Sequence, residues 1–288
     1  MLKNLNMQTL DAIIDQVTTL PPAPRILPEL LAVLRREDAD ASEVVRLIQF
    51  DPALTAQVLR RCNSAHYGFA EPVPDLQTAV LCVGMEEIYR IVANLIGEQS
   101  LGAAQRGYGI GQGELWKHCA VTAVAARGIA QELGGDESLV FTAALLHDLG
   151  KLVLSTSLEG AYARVIAKIE SSQFSFLEAE TAILGVQHAE VGGRLLERWN
   201  FPDNLVRAVC HHHDPLQARP DESLAAYVHL GDILAHMLGH GYGYQAYAVR
   251  CRAEAFDILG VTSRDMERFL IKTADSVAGV LPVKSSAI

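Results

Sequence analysis

The sequence predicts an all-α fold in two lobes, an N-terminal helical lobe followed by a C-terminal helical bundle. Three observations carry this reading. Apolar residues recur at three- and four-residue spacing along most of the chain, the mark of helices with one buried face. The period-two alternation of a half-buried strand is nearly absent, and so is any internal repeat. One stretch, Gly102-Ala-Ala-Gln-Arg-Gly-Tyr-Gly-Ile-Gly-Gln-Gly113, is glycine-rich and almost without an apolar stripe, as a linker should be. The expected division is therefore a first lobe over 1–101, a linker over 102–113 and a helical domain over 114–288.

The elements follow in order. Leucines in Pro24-Arg-Ile-Leu-Pro-Glu-Leu-Leu-Ala-Val-Leu-Arg35 share one stripe. Asp51-Pro52 starts the next helix with a capping acceptor and a proline at N1, where its missing N–H costs nothing. That helix runs through Cys62 to the turn-favouring Asn63-Ser64. Two more helices fit Leu76 to Val83 and Met85 to Leu101, with Gly84 between them. Beyond the linker, helices are expected near 114–133, 137–148, 158–171, 176–185, 189–199, 203–212, 222–238 and 263–278. No strand precedes the linker glycines and no GK[ST] follows them, so they do not form a phosphate loop.

Composition narrows the function classes. With 24 basic and 34 acidic residues the net charge is −10, which argues against broad nucleic-acid binding and leaves room for a local basic pocket holding one phosphate. Cys62, Cys82, Cys119, Cys210 and Cys251 are odd in number, scattered and without a CxxC, a pattern of reduced thiols. Cys119 and Cys210 flank candidate ligands, but their own side chains read as core thiols. The N-terminus has no apolar signal core, and no segment approaches the roughly 18 apolar residues of a membrane span. A soluble cytoplasmic protein is expected, with no membrane partner, and a homodimer on base rates alone.

Chemistry concentrates in the second lobe, where nine of the ten histidines fall between 118 and 240. His147-Asp148 ends an apolar helix within Ala143-Ala-Leu-Leu-His-Asp-Leu-Gly-Lys151, and burying both side chains unpaired would be costly. Glu114 and His118 share a helical face, and an antiparallel neighbour would bring His118 to the His147 turn. Asp232 lies in an otherwise apolar helix and needs a cationic partner there. His118, His147, Asp148 and Asp232 would hold one divalent ion, with iron, manganese, nickel or zinc suiting the imidazoles. His188, His212 and His213 would hold a second. Two ions about 3.5–4 Å apart clamp the attacking and leaving oxygens of a phosphate ester, and Lys151 would meet the phosphate as a point charge.

The run His211-His-His213 offers one choice too many. At about 100° per helical residue His211 and His213 point apart, so two adjacent members at most converge. Each residue also has a plainer reading. Asp148 alone caps a helix as readily as it binds a metal, His188 resembles an N-cap, and Asp232 alone pairs as well with an arginine. A lone histidine is more often hydrogen-bonded than ligating. One ion accounts for seven residues more simply than seven separate accommodations do.

The chain resembles the HDOD (HD-related output domain) family over nearly its whole length. The resemblance rests on Leu20-Pro-Pro-Ala-Pro24, Ile48-Gln-Phe-Asp-Pro-Ala-Leu-Thr55, Val58-Leu-Arg-Arg-Cys-Asn-Ser-Ala65 and Ala79-Val-Leu-Cys-Val-Gly84 in succession. The second lobe is similar to the HD metal-dependent phosphohydrolases in the His118 helix, Leu146-His-Asp-Leu-Gly-Lys151, Gly185-Val-Gln-His-Ala-Glu-Val-Gly192, His212-His-Asp-Pro215 and Asp232. The resemblance implies that His212 and His213 are the ligand pair and that His211 stands outside it. It also implies a signalling or regulatory module, in a family where many members lack parts of the metal set that this chain keeps. HD-GYP cyclic di-GMP phosphodiesterases carry HHExxDGxGYP after the paired histidines; here the text reads His212-His-Asp-Pro-Leu-Gln-Ala-Arg-Pro-Asp-Glu-Ser223, without the GYP element. No receiver domain is visible. The expected function is a cytoplasmic signal-transduction module whose first lobe binds a partner protein and whose second lobe binds a metal or a nucleotide. The runner-up is a phosphohydrolase acting on a nucleotide or cyclic dinucleotide, with Asp148 and Lys151 as its catalytic residues. A third reading is a helical scaffold with no metal.

Overall fold

The computed structural model describes residues 41–85, 114–157, 161–171, 174–241 and 250–280, with a few positions between 10 and 36 and between 87 and 92. Among these the secondary structure is helical and no strand occurs. The first lobe supplies α1 (Ala41–Ile48), α2 (Pro52–Cys62) and α3 (Leu76–Val83). Asp51 caps α2 as its position predicts, accepting a 2.8 Å hydrogen bond from the Leu54 N–H, with Pro52 inside the first turn. Asp75 does the same for α3 through the Thr78 N–H at 2.8 Å. The helix expected over 24–35, most of that over 85–101 and the 102–113 linker lie outside the described residues.

The second lobe runs α4 (Glu114–Leu133), α5 (Glu137–Leu146), α6 (Leu149–Ser157), α7 (Ala161–Ser171), α8 (Phe176–Leu184), α9 (His188–Arg198), α10 (Asp203–Cys210), α11 (Glu222–Met237), α12 (Ala253–Leu259) and α13 (Ser263–Val280). Two of these, α6 and α12, were not expected. The helix expected over 137–148 ends at Leu146, and Gly150 lies in the first turn of α6. Its role there is to let two helices touch, as the site below requires.

α11 packs along α4, α4 against α5, and α9 against both α6 and α10. One apolar core runs through both lobes, from Leu54, Leu59 and Ile88 to Ile129, Leu145, Leu146 and Leu149. At the lobe boundary Phe50 meets Phe141 edge to face with centroids 5.7 Å apart, and the Arg60 guanidinium lies 4.7 Å above Trp199. Such aromatic and cation–π contacts add to the apolar burial at this boundary. No helix among the described residues is long and apolar enough to cross a membrane.

Candidate metal centre

Close helix packing builds the site from four directions. α11 approaches α4 at Gly231, where a Cβ would lie 2.8 Å from the Thr122 carbonyl oxygen and from the Ala126 methyl. That approach sets Asp232 beside His118, Oδ1 to Nε2 at 3.1 Å. His147 and Asp148 form the turn between α5 and α6. α6 then crosses α9 at Gly150, where a Cβ would overlap the His188 carbonyl oxygen and lie 2.7 Å from the Gly192 nitrogen. The crossing delivers His188, whose Nε2 is 3.2 Å from Asp148 Oδ1.

The fourth direction corrects the sequence geometry. α10 ends at Cys210, so His211, His212 and His213 lie in a turn and the 100° helical argument does not apply to them. His212 and His213 do converge, with ring centroids 3.9 Å apart, while His211 occupies the C-cap of α10. All seven candidates thus meet in two adjoining clusters, His118, His147 and Asp232 on one side, and His188, His212 and His213 on the other. Asp148 stands between them, Oδ2 3.6 Å from His118 and 3.4 Å from His147, Oδ1 facing His188.

The hydrogen bonds of the histidines decide which nitrogen is offered. His147 Nδ1 lies 2.7 Å from the Ala144 carbonyl, His212 Nδ1 2.8 Å from that of Val209, and His118 Nδ1 3.2 Å from that of His240. A carbonyl only accepts, so each Nδ1 carries the proton and each Nε2 is left with a lone pair when the ring is neutral. His188 Nδ1 is fixed in the same way by the buried Glu180 carboxylate at 2.7 Å, the arrangement that orients metal-bound imidazoles. These Nε2 atoms point at one another: 3.3 Å from His118 to His147 and 3.0 Å from His188 to His213. His212 Nε2 is buried with no hydrogen-bond partner among the described residues. Facing lone pairs need either shared protons or a cation between them.

Electrostatics favour the cation. Burial, reinforced by the neighbouring imidazoles, holds His212 and His213 well below the usual histidine range. Burial also lowers His118, against the pull of Asp232. Burial resists ionisation of Asp148, but His147 and Lys151 outweigh it and hold the carboxyl well below its ordinary value. Asp232 is likewise held low against burial, by hydrogen bonds to His118 and His236. Two carboxylates held low and a set of converging imidazole Nε2 atoms form a donor set for a divalent transition metal. The residues fit such an ion, which His118, His147, Asp148 and Asp232 would hold, with His188, His212 and His213 on the other side of Asp148.

Lys151 is buried and its Nζ lies 2.7 Å from Asp148 Oδ2, so its charge is directed at this carboxylate. It also lines a cleft of about 460 Å³ that opens beside His188 and His213. Three contributors escaped the sequence reading. Glu180 holds His188 through both its backbone N–H and its ring. His236 Nε2 is 3.3 Å from Asp232 Oδ1, an i,i+4 spacing that the sequence does display. His229 receives the Arg252 backbone N–H at 3.0 Å and lies 2.9 Å from the His212 carbonyl, tying α11 to the ligand turn. Cys119 is a buried core thiol as expected, whereas Cys210 is only partly buried; burial raises both thiols, Cys210 to about 11.

A helical protein whose second lobe gathers histidines and aspartates around one central carboxylate is the class that fold and site define. The HDOD domain model matches residues 20–215, and the chain belongs to that family. In fold it is similar to the MmoQ response regulator of Methylococcus capsulatus, with 26% identity, a TM-score of 0.67, and coverage of 88% of this chain and 98% of that one. It is 28% identical over 232 residues to an uncharacterized protein of Treponema pallidum, covering 76% of this chain and 43% of the relative. It is also 28% identical over 159 residues to ribonuclease Y of a Sulfurovum species, covering 55% of this chain and 24% of that protein. The chain therefore spans less than half the length of these curated relatives.

Proposed function

We propose that the chain is a regulatory module of a cytoplasmic signalling system, whose first lobe engages a partner protein while the second lobe retains a divalent-metal site. The observation that carries this reading is the likeness to a response regulator across both lobes, over 88% of this chain and 98% of the other. Bound ions would stiffen the junction of α4, α6, α9, α10 and α11, since each contributes or adjoins a ligand. That stiffening gives the first lobe, packed on the same core, a surface whose order depends on metal.

A second reading, a metal-dependent phosphohydrolase acting on a nucleotide or cyclic dinucleotide, draws on one specific observation. The ligand set is complete and lies beside a cleft lined by Lys151. Bound ions would supply Lewis acidity toward a phosphoryl oxygen and a water of lowered pKa; Asp148 would bridge them and Lys151 would fix the bridge. The similarity to ribonuclease Y supports this reading over the matched 159 residues. Protein loaded with iron, manganese, nickel or zinc, incubated with nucleotides and cyclic dinucleotides, separates the two. The regulatory reading expects no turnover, together with partner affinity that falls in Asp148→Ala. Turnover abolished by Asp148→Ala would replace it with the phosphohydrolase.

A further inference from the structure

A second cleft, of about 360 Å³, lies at the junction of the two lobes and shares no lining residue with the metal centre or the cleft beside it. The first lobe supplies Gln49, just past α1, with Leu76 and Gln77 from the start of α3. The second supplies Arg127 of α4 with Glu137 and Phe141 of α5. One hydrogen bond already joins the two walls, from Ser138 Oγ to Gln77 Oε1 at 3.0 Å. That bond uses the Gln77 carbonyl oxygen and leaves the NH2 of the same amide to donate.

The charges of this cleft define what it selects. Arg127 is exposed, its guanidinium 5.2 Å from the Phe141 ring centroid. Glu137 is also exposed, in the first turn of α5. Both line the cleft, yet among the described residues neither forms an ion pair, with the other or elsewhere. Asp75, the third charged group, is buried and already engaged as the α3 cap, accepting from the Thr78 N–H at 2.8 Å and the Thr78 hydroxyl at 3.0 Å. A cation and an anion held apart across one hollow complement a molecule that carries both charges. The apolar lining is small, Leu76 and Phe141, and Phe141 already packs edge to face against Phe50. The volume falls near the bottom of the range for small-molecule sites, which suits a ligand of few atoms.

We infer that this cleft binds a free α-amino acid with a neutral polar side chain, its carboxylate on Arg127 and the Gln77 amide and its ammonium on Glu137. The planar guanidinium matches a carboxylate with two parallel hydrogen bonds. Gln49 donates through Nε2 to the Arg46 carbonyl at 3.2 Å and keeps its amide oxygen for a donor on the ligand side chain. A molecule held this way touches both lobes and fastens one to the other. It gives the chain a small-molecule input away from the metal centre. The inference goes beyond the regulatory reading and stands whether or not the second lobe holds an ion.

Calorimetric titration of the full chain with serine, asparagine and glutamine tests this, alongside leucine, N-acetylglutamine and glutaminamide. Saturable binding of at least one of the first three is expected, with leucine weaker. Each blocked form lacks one of the two charges and should bind about ten-fold or more weakly than glutamine, the worth of one charge-assisted hydrogen bond. Arg127→Gln and Glu137→Gln should each weaken binding by about the same factor, with metal content unchanged. Both positions are exposed, so neither change disturbs the core. The bound amino acid should also raise the melting temperature of the parent chain, and much less that of either variant. No binding of the three amino acids, equal binding of leucine or of a blocked form, or binding indifferent to either substitution overturns the inference.

Discussion

At the scale of single residues, the ligands were legible because of type and company, while their orienting partners were not. His147-Asp148 and Asp232 announce themselves as polar groups in apolar helices. Glu180 sits in Phe176-Leu-Glu-Ala-Glu180 beside another glutamate, and only the fold shows that it is buried against His188. Its function follows from geometry: one carboxylate oxygen accepts from both the His188 backbone and its ring, at 3.1 and 2.7 Å. Glu180→Ala should cut metal affinity by about 10–100-fold, with Glu180→Gln recovering most of it; a chelator competition in which Glu180→Ala matches wild type would exclude the role. The histidines also set a pH dependence for chelator-treated protein. His118, His211, His212, His213, His229 and His240 are held below 6.5 by burial. Below that value the unfolded chain binds more protons than the folded one, so their contribution to stability is present above it and lost as pH falls. His188, pulled up by Glu180 against burial, runs the other way, its contribution lost as pH rises through the raised value, but it is one group against six. Asp148 and Asp232, held well below 3.8, contribute fully throughout this window. The metal-free protein should thus melt at a lower temperature at about pH 5.5 than at about pH 7.5, and equal or reversed melting temperatures would refute this balance.

At the scale of elements, the sequence reads well wherever a cap or an apolar stripe stands alone. Asp51-Pro52 and the long helices α4 and α11 needed nothing more. Reading failed where tertiary packing overrode local propensity. The helix expected over 137–148 ends at Leu146, and after the His147-Asp148 turn α6 starts at Leu149 with Gly150, a poor helix former, at its close approach to α9. Likewise the helix expected to 212 ends at Cys210, which frees His212 and His213 to turn toward the site. The α6–α9 crossing gives a direct test. Gly150→Ala forces the two backbones apart, and overpacking of this kind costs on the order of 1–3 kcal/mol or more. A lowered urea midpoint together with lost metal uptake is expected; unchanged values for both would mean that the crossing does not position Asp148 against His188.

At the scale of the whole molecule, the all-α class and the family were readable from periodicity and ordered motifs, and the HDOD match over residues 20–215 agrees. The meeting of the lobes was not readable, because contacts such as Phe50 with Phe141 join residues far apart in sequence whose pairing leaves no local pattern. Since one core runs through both lobes, urea unfolding should show a single transition by fluorescence and by circular dichroism, and two separated transitions would argue for independent lobes. The central claim is that seven side chains from five segments of this core are arranged for metal. Elemental analysis of protein purified without a histidine tag tests it most directly. One or two ions of iron, manganese, nickel or zinc per chain are expected, falling below half that content in Asp148→Ala. A chain that holds no transition metal, even after incubation with each of these ions, would contradict the account.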